Sequence, residues 1–564
     1  MRILVCLKAV VEQPVWDAQG NLDRRRSGTI LNSVDCGALA KALELKRGPQ
    51  DELVVLSMGT EPVRPVLEEL NALDVDRVFL LSDQKFARSD SLATARILAE
   101  AAGKLGPFDI ILTGRSSSDG ETGHVGAQMA VLLGLPCVTN AVSLSAEEDQ
   151  TFARCSRLLE DSIRTLKVYL PAVFTMCSGH TLPPPSLKGM QKAKGKKVQV
   201  LDSVWLGLKA EAIGEQGSET RVVRTYPVRQ PRSRCVCYDS CTKGAEQVLA
   251  LLRRKTWPAQ GWHKGREKDL CADKMALVVS LENDSAAKSA VLELAGRAAE
   301  LYQDVRVVRV GGSYTDDRAA ARAVCEEVKR LRPTCVLVPA TIRGRCVAPM
   351  CAAMMGIGLT ADCTQLTFQD GQLVMIRPTF GGALMAQITS RSLPCMATVR
   401  PGVFDGEGSI TNFLSLKTED TGAICEISQQ RFSSQGNLGQ TKIIFSGGRG
   451  MGGEEGFACL EKLARRFGAA VCASRPAVDY GWRPYPFQVG QTGIAVKPDV
   501  YVACGISGAV QHMAGVRGKT LVAVNPDRKA PIFNYADIGI VDDWSNFVGE
   551  MTALLDQEER KHEL

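Results

Sequence analysis

The residues able to do chemistry sit where apolar runs end. KIIFSGG passes into the glycine loop GGRGMGG, which carries Arg449. Small glycines let backbone N–H groups approach an anion, a following helix adds positive potential, and a guanidinium can fork onto a phosphate. The loop has neither the Lys-Ser/Thr pair of a Walker A motif nor G-x-G-x-x-G in its usual register. The next apolar run, AVCASRP, ends on Ser474 and Arg475, and FQVGQTG supplies Gln491 and Thr492. VACGISGAVQH supplies Ser507, Gln511 and His512, and TLVAVNPD ends on Asn525. Successive strand ends rich in hydroxyl, amide and guanidinium donors predict one large ligand with phosphates and a polar ring. His512 is one of five histidines and follows a strand–loop–helix turn, which marks it as a ligand-facing group.

A second loop, SDGETGHVGAQ at residues 118–128, opens into the helical run MAVLLGLP. It lacks a catalytic Lys, and its glycines and helix start fit a phosphate-bearing group.

Alternating elements must position these loops. From Met1, RILVCLKAV, ELVVLSMG, RVFLLSD and DIILTG read as buried strands separated by stretches of helical period. That is the pattern of a parallel sheet covered on both faces. The same alternation resumes at MALVVSLEN and again at KIIFSGG. The fold expected is α/β, with three doubly wound parallel-sheet units at residues 1–203, 275–430 and 436–564, and an arm or linker at 204–274. CVAPMCAAMMGIGLTA, from Cys346 to Ala361, reads as a packed helix pair. It is too short for the ~20 residues that span a bilayer.

With 564 residues the chain exceeds one ordinary core. Its 68 basic and 62 acidic residues are spread along it, so a net charge of +6 does not point to nucleic acid. No membrane span or signal segment is expected, and a cytoplasmic location is. The 19 cysteines are scattered singly through apolar segments, except for RCVCYDSC with Cys235, Cys237 and Cys241. The C-x-C-x3-C spacing fits no zinc or iron–sulfur pattern, so a linker with incidental thiols is expected and no metal.

SRPAVDYGWRPYPFQVGQTG, GISGAVQHMAG, VNPDRKAPIFNYADIGIVDD and GLTADCTQL…RPTFGGALMA…MATVRPGVF resemble the α subunit of electron-transfer flavoproteins. KGMQKAKGKKVQV, the KALELKR helix and DGETGHVGAQ resemble the β subunit. The resemblance covers nearly the whole chain, β first and then α, as in a fused single-chain member.

The resemblance implies FAD in the C-terminal unit. Its pyrophosphate would lie near Arg449 and Ser507 to Ala509, and its adenosine near Asn525, Asp543 and Trp544. The isoalloxazine would lie among Ser474, Arg475, Val489 to Thr492, Gln511 and His512. Reduction places negative charge on the N1/C2=O region, so a donor such as His512 there stabilises the reduced ring, Arg475 raises its potential, and Thr492 can donate to N5. In the β part, Cys6, Asn32, Met58, Asp119, Gly120, Glu121, Thr122, Gly123 and Val125 would line a second nucleotide site. Simple carriers in the family hold AMP there, and bifurcating members hold a second FAD with an Asp-Gly-Asp-Thr-like motif. Asp119-Gly120-Glu121-Thr122 matches the latter, so a second FAD is preferred to AMP, with NADH as a possible hydride donor. Asn32-Ser33-Val34-Asp35 departs from the family's Asn-Pro-Phe-Asp. Leu187 would anchor a dehydrogenase such as an acyl-CoA dehydrogenase, with Lys188, Lys192, Lys194, Lys196 and Lys197 as steering charges. Ferredoxin, flavodoxin or a quinone-linked oxidoreductase would accept electrons, and the FAD unit would swivel on a linker near residues 430–440. The alternatives are a simple carrier with one FAD and structural AMP, a subunit bound in a larger acyl-CoA dehydrogenase complex, or a non-redox nucleotide-binding regulator.

Overall fold

A computed structural model of the chain describes residues 1–11, 27–159, 162–177, 182–227, 235–253, 271–281, 285–311, 315–382, 384–404, 413–431, 441–484, 487–490, 493–494, 496–513, 515–516 and 518–562. The chain divides into two compact units. Met1–Tyr226, Lys268–Phe380 and Leu384–Arg431 make the first; Pro227–Glu267, Gly381–Ala383 and Phe432–Leu564 make the second. Gln491, Thr492 and most of the expected hinge at 430–440 lie outside the described residues.

In the first unit, the parallel strands Gln199–Leu201, Arg77–Leu81, Glu52–Met58, Arg2–Cys6, Ile110–Gly114, Ala172–Met176 and Cys137–Ala146 lie side by side in that order. Ile3, Leu4, Val54 and Leu112 are fully buried, as unbroken apolar strands covered on both faces must be. Phe152–Leu158, Ser162–Tyr169 and Ile424–Arg431 extend the sheet antiparallel. A second parallel sheet is built from Leu359–Cys363, Cys395–Val399, Cys335–Pro339, Cys271–Ser280, Tyr302–Val310 and Phe413–Leu416. The strands expected at 1–203 and 275–430 thus form two sheets inside one unit. The expected helix pair at Cys346–Ala361 is instead one helix, Gly344–Met355, followed by the strand Leu359–Cys363. Gly356, left-handed at φ 66°, ends the helix by accepting the turn that a Cβ would resist.

The second unit holds one parallel sheet, Val236–Tyr238, Ile538–Ile540, Thr520–Val524, Val500–Cys504, Ile443–Gly447 and Ala470–Ala473. Part of the segment expected as an arm therefore contributes a strand and the helix Cys241–Leu252 to this unit. The helix Glu454–Arg465 turns Phe457, Leu460, Leu463 and Ala464 inward at three- and four-residue spacing. They join Phe445, Val502 and Phe547 in one core.

Candidate functional site

Open α/β sheets take ligands beyond the C-terminal strand ends where strand order reverses. In the second unit the chain steps from Ile443–Gly447 out to Ala470–Ala473, then crosses to Val500–Cys504 on the other flank. The loops after the first and third of these strands meet. Gly448 N–H donates to the Cys504 carbonyl at 2.9 Å and Gly450 N–H to that of Gly505 at 3.0 Å. A Cβ on Gly448 would stand 2.1 Å from the Gly505 oxygen. Gly448 and Gly450 are therefore explained by backbone meeting backbone, whereas a Cβ on Gly447 would meet the Phe457 and Met451 side chains. Acidic Glu454 and Glu455 occupy the first turn of the helix that follows, where its positive potential is strongest.

Free donors appear further along the loop that carries Gly505. The N–H groups of Ser507, Gly508 and Ala509 have no acceptor among the described residues. Consecutive unspent amides form an anion-binding concavity. The loop is pinned in place: Ile532 N–H donates to the Ser507 carbonyl at 3.0 Å and Asn525 Nδ2 to that of Ile506 at 2.9 Å. Gly508 has φ 87°, and a Cβ there would lie 2.2 Å from Ile532 N. Arg449 is exposed on the neighbouring loop. Asp543 caps the helix Trp544–His562, accepting from Ser545 N at 2.9 Å and Oγ at 2.6 Å.

The expected ring-binding residues converge beside this loop. Val489 N–H donates to the Ala473 carbonyl at 2.9 Å, which sets Val489 and Gly490 next to Ser474. A Cβ on Gly490 would lie 3.0 Å from the Gln511 carbonyl and 3.3 Å from His512 Cα. Val510 begins the short helix that carries Gln511 and His512. His512 is buried, with Nε2 2.9 Å from Tyr501 Oη and no well-formed hydrogen bond at Nδ1 among the described residues. Burial pushes its pKa down to about 4, the Val489 carbonyl offsetting only part, so the ring is neutral near pH 7. Ser474 Oγ is also buried with no partner among the described residues. Arg475 is half-exposed and reaches Asp479 at 3.4 Å. A pinned cradle of free amides and two unspent buried polar atoms fit a dinucleotide with a polar ring.

In the first unit the order reverses between Arg2–Cys6 and Ile110–Gly114. Asp35 bridges the two strand ends, accepting from Lys8 N–H and Gly114 N–H, each at 2.9 Å. Burial raises its pKa to about 6 against those bonds. It also pushes the neighbouring Cys6 thiol up to about 12. Asn32 caps the helix Ser33–Leu45 and donates to the Ser116 carbonyl at 2.9 Å, while Met58 ends its strand half-buried. Asp119 pairs with Lys8 at 2.8 Å and accepts from Gly120 N–H at 2.7 Å; despite burial, Lys8 holds its carboxyl below the usual range. Glu121 and Gly123 are left-handed at φ 52° and 68°, with Thr122 between them, and Val125 begins the helix Val125–Leu133. His124 is buried against Ser91 Oγ at 3.2 Å; burial, then Arg377 and Arg345, push its pKa down to about 3.

Several residues given no role in the sequence reading belong here. Asp362 pairs with Arg345 at 3.0 Å and with Arg400, which hold it well below the carboxylate range although it is buried. The negative charge of Glu121 bears on both Arg377 and Arg400. Gln128, one turn beyond His124, is fully buried with neither amide atom partnered among the described residues. Its signal was a polar side chain inside the apolar run VGAQMAVLL; Arg377 and Arg400 were visible in RPTFGG and TVRPGV.

On the docking stretch, the helix Leu187–Ala193 leaves Leu187 82% exposed, with Lys188, Lys192, Lys194, Lys196 and Lys197 around it also exposed. Among the described residues no helix is long and apolar enough to cross a membrane.

The family model described as an electron transfer flavoprotein domain matches residues 19–204 and again 277–430. The model described as the electron transfer flavoprotein FAD-binding domain matches 437–517. Protein FixB of Clostridium saccharobutylicum is 40% identical over 262 residues, covering 43% of this chain and 75% of that protein. Electron transfer flavoprotein subunit alpha of Thermoanaerobacterium thermosaccharolyticum is 43% identical over 242 residues, covering 41% and 73%. Acryloyl-CoA reductase electron transfer subunit beta of Anaerotignum propionicum is 41% identical over 278 residues, covering 42% and 75%.

Proposed function

The chain belongs to the electron transfer flavoprotein family, and on that premise we propose that it joins a β-like part and an α-like part in one polypeptide that receives electrons from a dehydrogenase and passes them to another redox protein. FAD in the C-terminal unit supplies reversible electron transfer. The free amides of Ser507, Gly508 and Ala509 are the observation that carries this reading. With Arg449 they hold the pyrophosphate, and Asn525, Asp543 and Trp544 surround the adenosine. If the Tyr501 hydroxyl donates to His512 Nε2, the single ring proton rests on Nδ1 near the Val489 carbonyl, without a well-formed hydrogen bond among the described residues, and can turn toward the reduced ring. Ser474, Arg475, Val489, Gly490, Gln491, Thr492 and Gln511 complete the wall. Leu187, with Lys188 and Lys192, docks the dehydrogenase, an acyl-CoA dehydrogenase being the class favoured.

For the second nucleotide, FAD is favoured over AMP. Asp119 to Thr122 carries the motif, and the unpartnered Gln128 amide and Arg377 Nε add polar groups that a ring ligand could satisfy. A second FAD, held by Asp119, Gly120, Glu121 and Thr122, would supply hydride acceptance from NADH and release of single electrons, serving both a low-potential acceptor such as ferredoxin or flavodoxin and the C-terminal FAD.

Extraction and counting of nucleotides per chain tests both levels. Two FAD and a spectrum bleached by NADH support splitting of electrons. One FAD with one AMP leaves the simple carrier, passing electrons for example to a quinone-linked oxidoreductase. Absence of flavin from freshly purified protein supplied with FAD would sink the redox reading.

A further inference from the structure

Cys235 and Cys237 take no part in the flavin reading. Cys235 precedes the strand Val236–Tyr238 and Cys237 lies at its middle, and strand alternation sends side chains two residues apart to one face. Their sulfurs are 3.5 Å apart. Cys237 is exposed and Cys235 half-buried, whereas Cys472 and Cys504 in the same unit are buried. The strand is outermost in its sheet and pairs with Ile538–Ile540. Gly539 lies opposite Cys237, and a Cβ there would stand 3.0 Å from its Sγ, so the missing side chain leaves the sulfur room.

We propose that Cys235 and Cys237 form a reversible dithiol–disulfide couple that exchanges with low-molecular-mass disulfides and, when oxidised, loosens the segment's grip on the FAD-binding sheet. The exposed Cys237 thiolate attacks one sulfur of the small disulfide, forming a mixed disulfide and releasing one thiolate, which takes the proton Cys237 lost. The Cys235 thiolate then attacks Cys237 Sγ; the Cys235–Cys237 bond forms, the mixed bond breaks, and the second small thiolate leaves with the proton from Cys235. Two electrons pass from the protein dithiol to the small disulfide, which becomes two thiols. Burial, then the Cys237 thiol and Asp537, push Cys235 up to about 12, so Cys235 is the thiol that stays protonated while the exposed Cys237 starts the exchange, and its 3.5 Å approach to Cys237 is what favours it as the resolving group.

Oxidation strains the strand. Residues two apart in extended chain send their side chains to one face, so their Cβ atoms, like their Cα atoms, stand roughly 6.6 Å apart, whereas a disulfide wants Cβ atoms about 3.5–4.5 Å apart. Closing the bond bends Val236, whose N–H donates to the Asp537 carbonyl at 3.0 Å, and that bond goes first.

The test is to incubate the flavin-loaded full chain with oxidised and reduced glutathione at graded ratios, alkylate, and map peptides by mass, with hydrogen exchange on the same samples. The couple is expected to lose both alkylation sites together without retaining glutathione, and the amides of Val236–Tyr238 to exchange at least tenfold faster when it is oxidised. Cys235→Ser should stop at a glutathione adduct on Cys237. Independent alkylation of the two thiols at full oxidation, pairing of Cys237 with Cys241, or a Cys235–Cys237 disulfide that leaves exchange unchanged would each overturn the proposal.

Discussion

His124 and His512 are both buried and neutral, with pKa values pushed down to about 3 and about 4. In the unfolded chain each titrates near ~6.5. Above that pH neither affects stability. As pH falls below it, the unfolded state binds protons that the folded state refuses, so stability drops until the folded pKa is reached. Asp35, raised to about 6, works in the opposite sense below that pH. His124→Gln is therefore expected to flatten the pH dependence of denaturant unfolding by about one proton, or about 1.4 kcal/mol per pH unit, between roughly pH 6 and 4. An unchanged slope would mean that the ring titrates normally in the fold. Gly448→Ala puts a methyl 2.1 Å from the Gly505 oxygen and has only backbone to push against. A loss of about 1–3 kcal/mol, with faster flavin release in gel filtration, is the expected outcome. His512→Gln removes the ring while keeping an amide, and should leave flavin content unchanged while making the flavin harder to reduce in a potential titration.

At the scale of elements, the parallel strands were legible because both faces of each are buried, which gives apolar runs such as RILVC and IIFSG that periodicity detects directly. The glycine loop was located correctly, but its chemistry was not legible. Whether N–H groups face a ligand or a neighbouring carbonyl depends on which loop lies across the switch point, and only the fold brings Gly448 against Gly505. The helix Gly344–Met355 and the strand after it read as two helices because CVAPMCAAMMGIGLTA is apolar throughout and masks the change of period at Gly356. Asp35 ends the run Asn32-Ser33-Val34-Asp35, which departs from the family motif; its bridge between Lys8 and Gly114 needs strands about 100 residues apart to be neighbours. Phe457 is the inward anchor of the helix Glu454–Arg465, and its ring fills the space beside Gly447. Phe457→Ala should cost about 3–5 kcal/mol, measured as a lower denaturant midpoint for release of flavin.

For the whole molecule, the exposed Leu187 is the most direct handle on partners. Burying a leucine in a partner's pocket contributes about 1.5–3 kcal/mol. Leu187→Ala should accordingly raise the KM of an electron-donating dehydrogenase for this protein roughly tenfold or more, with nucleotide content and thermal stability unchanged. Joint replacement of Lys188 and Lys192 should act mainly on the association rate and lose its effect at high salt. Val236–Tyr238 has a different consequence. It pairs with Ile538–Ile540, about 300 residues further along the chain. A ribosome adding ~5–20 residues per second needs roughly 15–60 s to make that distance. Throughout that interval the edge strand and the apolar face of Cys241–Leu252 have been made but lack the rest of their sheet. The C-terminal segment expressed alone from residue 436 would meet the converse problem, emerging without its edge strand or the helix that covers Ile540 and Phe547. Supplying residues 235–253 as a separate peptide should restore its solubility, making this unit one that assembles from two distant pieces of a single translation product.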